Sequence, residues 1–576
     1  MVVFPTIPVS DFRSLVAFGL LLRSHGFMAP GWFWEYLNPG LPMCLAVLFR
    51  IAPSIQPDVL ARMATAIACG LAPAIPFITW RGIMPLWVRF GAGATLALWP
   101  GQIVFSGVVA QDNWVLLPTV ALGTLAVRSI YTFGHPVLAS LLYVVAACVR
   151  QEMLIVLLPL LLVCVRVDLL PGRWRRLGTC VGIVVVAFLL FATQRFVATG
   201  RFALTTEHSG LSVLGSYVPG AVNSGWTDPH PFIASTHPEL VQDRKALLSG
   251  TLALAFREAA QRPGFHMIRI LSTLLTFGAE GEVASLHWSI GAAETLPPAL
   301  RNRGADLADR LTAILSVELA IIQGLFIAAL LIGICKKNVA ILILSCTVLL
   351  KYAVHGVTVA QGRYFIPVTA LQLLAIVLAC WEIRESWPPN GRLISISVSA
   401  AALTAILLLC GAPRLKAAVE RWEREQRHRF VLTSLDGGVA LACVVEHGRV
   451  LVAGAPRMAS IQLSEVTASP GDVVTADCGL TVSERPQSIV LRLSDNYAPG
   501  GFPGRILQRV YLDDRVVYVH DIGQEPGTGW TEVQLGTAVP GTKRSVRVQI
   551  EAIQPDRGWG WGNASLTELQ LSSDEK

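Results

Sequence analysis

The chain has 576 residues, of which 53% are hydrophobic and 15% charged, with a formal net charge of +7. A mean hydropathy of +0.55 excludes an ordinary soluble enzyme and places most of the length in a membrane. No basic run is interleaved with aromatic residues, which argues against a nucleic-acid partner.

The first stretch, 1–57, opens on MVVFPTIPVSD, which has neither the basic region nor the apolar length of a cleavable signal. Phe12, Leu15, Val16, Phe18, Gly19 and Leu22 recur at helical spacing and predict a helix lying in the membrane interface. Trp32, Trp34 and Tyr36 suit the headgroup belt. NPGLP then breaks the chain before a second short apolar helix. An outward-facing Met1 with no preceding span leads to the expectation of a first span encoded upstream.

Apolar runs follow near 58–80, 86–109, 113–128, 135–149, 153–171, 177–198, 312–335, 338–356, 364–382 and 392–411, within a membrane domain drawn at 58–412. Arg81, Arg89, Arg128, Arg166, Arg173, Arg175, Arg176, Lys336 and Lys337 fall on one side if these spans alternate, and that side is expected to be cytoplasmic. The other side then holds Asp112, Arg150, Glu152, a long loop at 199–311 and HGVTVAQGRY. His208, His230 and His266 in that loop read as surface histidines. No His- or Cys-rich cluster points to a metal site.

A charged helical linker is expected at 413–429. From 430 to 576 short alternating strands separated by Gly, Pro and Asp predict an extracytoplasmic β-sandwich. Cys443 and Cys478 stand alone in this tail, and a disulfide between them is open if the tail lies outside. The other nine cysteines read as buried small hydrophobes.

Several segments in order resemble one family. Asp11 followed by an interfacial helix and a PGxP turn resembles the first outer loop of GT-C glycosyltransferases. These are the polyprenyl-phosphate-sugar-dependent enzymes of family 39 type, which include protein mannosyltransferases and aminoarabinose transferases. LALWPGQIVFSGVVAQDNW resembles the span and loop that present a second acid. VRQE resembles the RPE segment, with Gln151 in place of Pro, and GRYFIP resembles the late RYxxP segment. The tail resembles jelly-roll carbohydrate-binding modules, with a Trp-rich segment before the last strand. The fold implied is a polytopic α-helical membrane protein followed by a soluble jelly-roll-like β-sandwich.

The resemblance implies transfer of a sugar, with inversion, from a polyprenyl-phosphate donor to an extracytoplasmic glycan, lipid or protein acceptor. A carboxylate must take the acceptor's proton and cations must hold the leaving phosphate. Asp11 is assigned as the base and Asp112 as the second acid, orienting hydroxyls or holding an arginine. Arg150 and Arg363 are the phosphate ligands, with Glu152, His355 and Tyr364 in support. The module resemblance makes Trp559 and Trp561 candidates for a sugar contact in the tail.

Each residue also has a plainer reading. Asp11 can be a helix cap, Asp112 a solvated helix start, the arginines span-end residues, and the tryptophans packing aromatics. No cofactor is implied firmly; a divalent cation shared by two acids and the donor phosphate stays open. The partners expected are the lipid-linked donor, membrane lipids and the acceptor, in a bacterial inner or plasma membrane. A lipid-linked-sugar flippase or an O-antigen ligase or polymerase is the alternative.

Overall fold

The computed structural model describes residues 10–26, 34, 37–132, 134–165, 173–202, 208–217, 229, 233, 244–261, 263–280, 298–358, 362–385, 391–415, 428–433, 438–446, 449–450, 459–464, 470–483, 485, 487–494, 505–522, 530–554 and 561–572. The chain forms two compact units, one of Met1–Ser209 with Ile270–Arg414 and one of Gly210–Arg269 with Leu415–Lys576.

The first unit is helical. Among its described residues, seven helices are long and apolar enough to cross a membrane: Pro57–Thr79, Gln111–Tyr131, Leu177–Thr199, Ile314–Lys336, Val339–Val357, Ile366–Glu385 and Ile394–Leu415. Besides the break at Ala72 and Pro73 within Pro57–Thr79, two expected spans are interrupted. The run at 86–109 divides into Leu86–Ala97 and Pro100–Phe105, because Pro100 cannot donate to the preceding turn. The run starting at 153 divides into Met153–Val156 and Leu158–Cys164 around Leu157, where Pro159 has the same effect. The run at 135–149 is a helix of 14 residues, Pro136–Val149, shorter than the ~20 a span prefers.

The helices align end to end. At one end Arg128 donates to the Thr79 carbonyl at 2.6 Å, Asn338 donates to Glu382 at 2.8 Å, and Tyr131 meets Trp381 edge to face. Lys337 takes a positive φ, and the Asn338 side chain then caps Ala340 and Ile341, turning one long helix directly into the next. The opposite end carries Asp112, Arg150, His355 and Tyr364. This is the alternation that the Lys and Arg pattern predicts.

Helix Ser10–His25 forms as expected and packs on Gly40–Ile51; a Cβ on Gly19 would lie 3.0 Å from Leu45 Cβ and 3.1 Å from Phe49. Trp34 is fully buried against Phe18 rather than placed at the membrane surface, because the two rings meet edge to face at 5.3 Å. Trp32 and Tyr36 lie outside the described residues. Five of the nine free cysteines, Cys44, Cys335, Cys346, Cys380 and Cys410, are exposed rather than buried. They sit on apolar helices of a chain whose outer surface faces lipid, so exposure costs a thiol little.

The second unit contains a two-sheet sandwich. Its strands are β1 (His428–Thr433), β2 (Val439–Glu446), β3 (Arg449–Val450), β4 (Ala459–Ser464), β5 (Val473–Val482), β6 (Gln487–Ser494), β7 (Arg505–Leu512), β8 (Arg515–Ile522), β9 (Trp530–Ala538), β10 (Lys543–Gln554) and β11 (Trp561–Ser572). One sheet runs β1-β2-β5-β10-β7-β8 and the other β3-β4-β11-β6-β9. All pairings are antiparallel.

Alternate residues of β2, β5 and β10 bury against alternate residues of β6 and β9, so inner faces of both sheets make one core. Cys443 and Cys478, opposite each other on β2 and β5, are disulfide-bonded inside it. β1 begins at His428, within the stretch expected as linker. The same unit carries the helix Arg244–Gln261 and, from Gly210 on, the helix His208–Leu214 of the long loop, with a small core of Leu211, Leu214, Ile233, Leu254 and Ala255.

Candidate functional site

QDNW begins the helix Gln111–Tyr131, with Asp112 in its first turn. The neighbouring Asn113 fixes that start. Its amide donates back to the Phe105 and Val108 carbonyls at 2.8 Å each, and its carbonyl accepts from Gln102 at 3.2 Å. Asp112 is therefore turned inward. At 1% exposure it is not a solvated helix start.

Its partner is Arg150. The helix Pro136–Val149 ends there because Arg150 takes an extended conformation, and a turn leads into Met153–Val156. Arg150 Nη1 lies 2.9 Å from Asp112 Oδ1, and its Nε donates to Glu152 Oε1 at 2.5 Å. The guanidinium carbon sits 4.2 Å from the Tyr364 ring centroid. Gly40 of NPGLP sets this turn from behind. A Cβ on Gly40 would lie 2.6 Å from the Cys148 carbonyl carbon and oxygen and 2.7 Å from Val149 N. The PGxP motif thus packs on the backbone that delivers Arg150.

Lys351 completes the cluster. It lies within the span Val339–Val357, six residues or about 9 Å before its end. It is fully buried, with Nζ 3.0 Å from Glu152 Oε1. His355, one turn later on the same face, places Nε2 3.9 Å from the same oxygen and stacks near Tyr364 at 5.1 Å. Two acids, Asp112 and Glu152, therefore face two basic side chains, Arg150 and Lys351. The pairs balance without counting His355.

Burial by itself would push the Glu152 carboxyl up. Arg150, Lys351 and His355 outweigh it and hold Glu152 well below the usual carboxylate range. Burial likewise opposes the charged form of Arg150, but Asp112 and Glu152 raise it above its ordinary value. Asp112 and Lys351 form the sealed inner part. Arg150 and Glu152, with side chains 12% and 17% exposed, form the accessible edge. Such an edge can present guanidinium donors to an anion while the acids hold the fork in place.

The structure brings together Asp112, Arg150, Glu152, His355 and Tyr364 of the residues expected from sequence. Asp11 lies in the first turn of helix Ser10–His25 and Arg363 in the turn Gly362–Phe365, with side chains outside the described residues. Trp561 opens β11, its side chain likewise outside, and Trp559 lies outside altogether. His266 is buried rather than a surface residue, because its ring packs against Tyr217; His208 opens a helix with its side chain outside the described residues, and His230 lies outside them.

Lys351 was not singled out from sequence. The available signal was a lone lysine inside an apolar span, four residues before a histidine. Among the described residues no group of three or more His, Cys, Asp or Glu could hold a metal ion.

No protein-family model matches the chain, and no curated protein does. Among solved structures it is similar to the Archaeoglobus fulgidus oligosaccharyltransferase crystallised with Zn and sulfate, at 12% identity and a TM-score of 0.35, over 72% of this chain. The chain spans about half the length of that one, 49%.

Proposed function

We propose that this chain is a GT-C-type membrane glycosyltransferase that transfers a sugar from a polyprenyl-phosphate donor to an extracytoplasmic acceptor. One observation carries the reading. Segments picked out separately along the sequence meet at one end of the helical unit: Asp112 of AQDNW, Arg150 and Glu152 of VRQE, and His355 and Tyr364 of HGVTVAQGRY. Gly40 of NPGLP packs directly behind them.

In this mechanism the acceptor hydroxyl attacks the anomeric carbon, and its proton passes to the Asp11 carboxylate. The bond from that carbon to the phosphate oxygen breaks, and the oxygen keeps the electron pair. One displacement inverts the anomeric centre. Arg150 and Arg363 meet the phosphate charge as it grows. Asp112 and Glu152 do not take the proton: one is tied to Arg150, and the other is held ionised by Arg150 and Lys351. They position Arg150. The groove beside Ile155, Leu158, Leu162 and Leu350 is apolar and suits the isoprenoid chain.

The disulfide in the sandwich suits an oxidising compartment, hence an extracytoplasmic tail on a bacterial inner or plasma membrane. Trp559 and Trp561 would offer that tail's sugar contact.

A second reading, transport of a lipid-linked sugar, is favoured by Lys351 inside a span and by the interrupted segment around Leu157. Proteoliposomes loaded with a radiolabelled polyprenyl-phosphate-sugar panel separate the two. Release of polyprenyl phosphate, lost in Asp11→Asn at normal membrane abundance, is the transferase result. Lipid translocation with the sugar still attached would replace it by the transporter. Full transfer by Asp11→Asn would remove Asp11 as the base.

A further inference from the structure

A second charged centre lies in the other unit, and it is not balanced. Arg269 sits on the helix Pro263–Glu280 and is fully buried. Its Nε, Nη1 and Nη2 are all buried without a hydrogen-bond partner. Among the described residues no carboxylate faces it. Tyr217 offers a ring face, 4.8 Å from the guanidinium carbon, and a neutral hydroxyl, but no counter-charge. His266 precedes Arg269 by one turn on the same helix face. It is also buried, with its ring 4.9 Å from that of Tyr217.

Arginine does not escape this situation by losing its proton. Burial does pull its guanidinium below the ordinary arginine value, with Tyr217 opposing. A buried cation with no counter-charge is among the most costly arrangements a fold can hold. The cost disappears if an anion brings the acceptors. Arg150 illustrates the contrast: less enclosed, it still has its own two carboxylates.

We propose that Arg269, flanked by His266 and Tyr217, forms a binding site for a phosphate group. A planar fork with no carboxylate opposite it matches the oxygens of a phosphate, and the imidazole adds a donor beside it. The aromatic face of Tyr217 closes one side. This site does not depend on the transferase reading; it would exist equally in a transporter.

The test uses the full-length protein, purified in a phosphate-free buffer in a single detergent. Thermal unfolding is followed with inorganic phosphate, with polyprenyl phosphate in the micelles, and with chloride as control. Without phosphate, Arg269→Met is expected to unfold at a higher temperature than the wild type, since it removes an unpaired charge. Phosphate is expected to raise the wild type by several degrees and leave the variant unmoved, which reverses their order. Arg269→Lys keeps the charge but lacks the fork, and its affinity is expected to fall roughly tenfold.

A response to inorganic phosphate identifies a free-phosphate site. A response to polyprenyl phosphate alone identifies a lipid headgroup. A methionine variant less stable than the wild type in phosphate-free buffer would mean that this chain already supplies the counter-charge, and would overturn the proposal. So would a wild type indifferent to both probes, or a lysine variant that binds as tightly as arginine.

Discussion

Replacing Lys351 by methionine removes an ammonium that is fully buried and 3.0 Å from Glu152 Oε1. At that distance, with an effective dielectric of about 20, the pair is worth about 5–6 kcal/mol. Desolvation of the ammonium offsets part of this, and removing one partner of a buried pair costs about 3–5 kcal/mol in practice. Glu152 keeps Arg150 at 2.5 Å, so the lower end, about 3 kcal/mol, is expected.

Glu152→Gln alone should cost a similar amount, because it strands Lys351. The double variant restores neutrality, since Asp112 and Arg150 remain paired at 2.9 Å. It should therefore be more stable than the sum of the single variants by about 1–3 kcal/mol. Equilibrium unfolding of the four proteins in one detergent measures this coupling. Additivity within about 0.5 kcal/mol, or a Lys351→Met variant as stable as the wild type, would refute the charge-balanced cluster.

Other outcomes follow from the same geometry. Glu152 has a depressed folded pKa, so its stabilisation is complete above its unfolded value of about 4.3 and fades only as pH falls through the lower folded value. The stability gap between wild type and Glu152→Gln should stay constant from about pH 8 to pH 5, and a gap already closing near pH 6 would contradict that. Gly40→Ala places a Cβ 2.6 Å from the Cys148 backbone, which no side-chain rotation relieves, and is expected to cost about 1–3 kcal/mol along with any activity that needs Arg150 in place. Gly178→Ala, with nothing within 4 Å of the added carbon, should unfold no earlier than the wild type, which makes it the matched control. Reduction of the Cys443–Cys478 bond opens a loop of sequence separation 35 and should destabilise the sandwich by about 4 kcal/mol; thiol titration of the unfolded, unreduced protein should find neither cysteine free.

What could be read from sequence rests on local regularities. Hydropathy summed over a window finds a span wherever its neighbours lie, and it found all seven of the long apolar helices. Strand alternation found the sandwich in the same way, since the side-chain period of two is a property of each strand alone. Charge placed Arg128 and Lys337 at one end and Asp112 at the other, because flanking charges act span by span. Interruptions were less legible: Pro100 and Pro159 break two runs that hydropathy treats as continuous.

The pairings came only with the tertiary structure. Asp112 was open to several uses, and packing of the helices Gln111–Tyr131 and Pro136–Val149 gave it Arg150. Glu152 stood in support until the helix Val339–Val357 brought Lys351 to it across 199 residues of chain. No local pattern encodes a contact of that range. The sequence by itself determined that this is a membrane protein with a sandwich-forming tail, because burial in lipid and sheet pairing leave periodic marks. Which charges neutralise which was decided only by helix packing, because a buried charge is tolerated according to what stands opposite it.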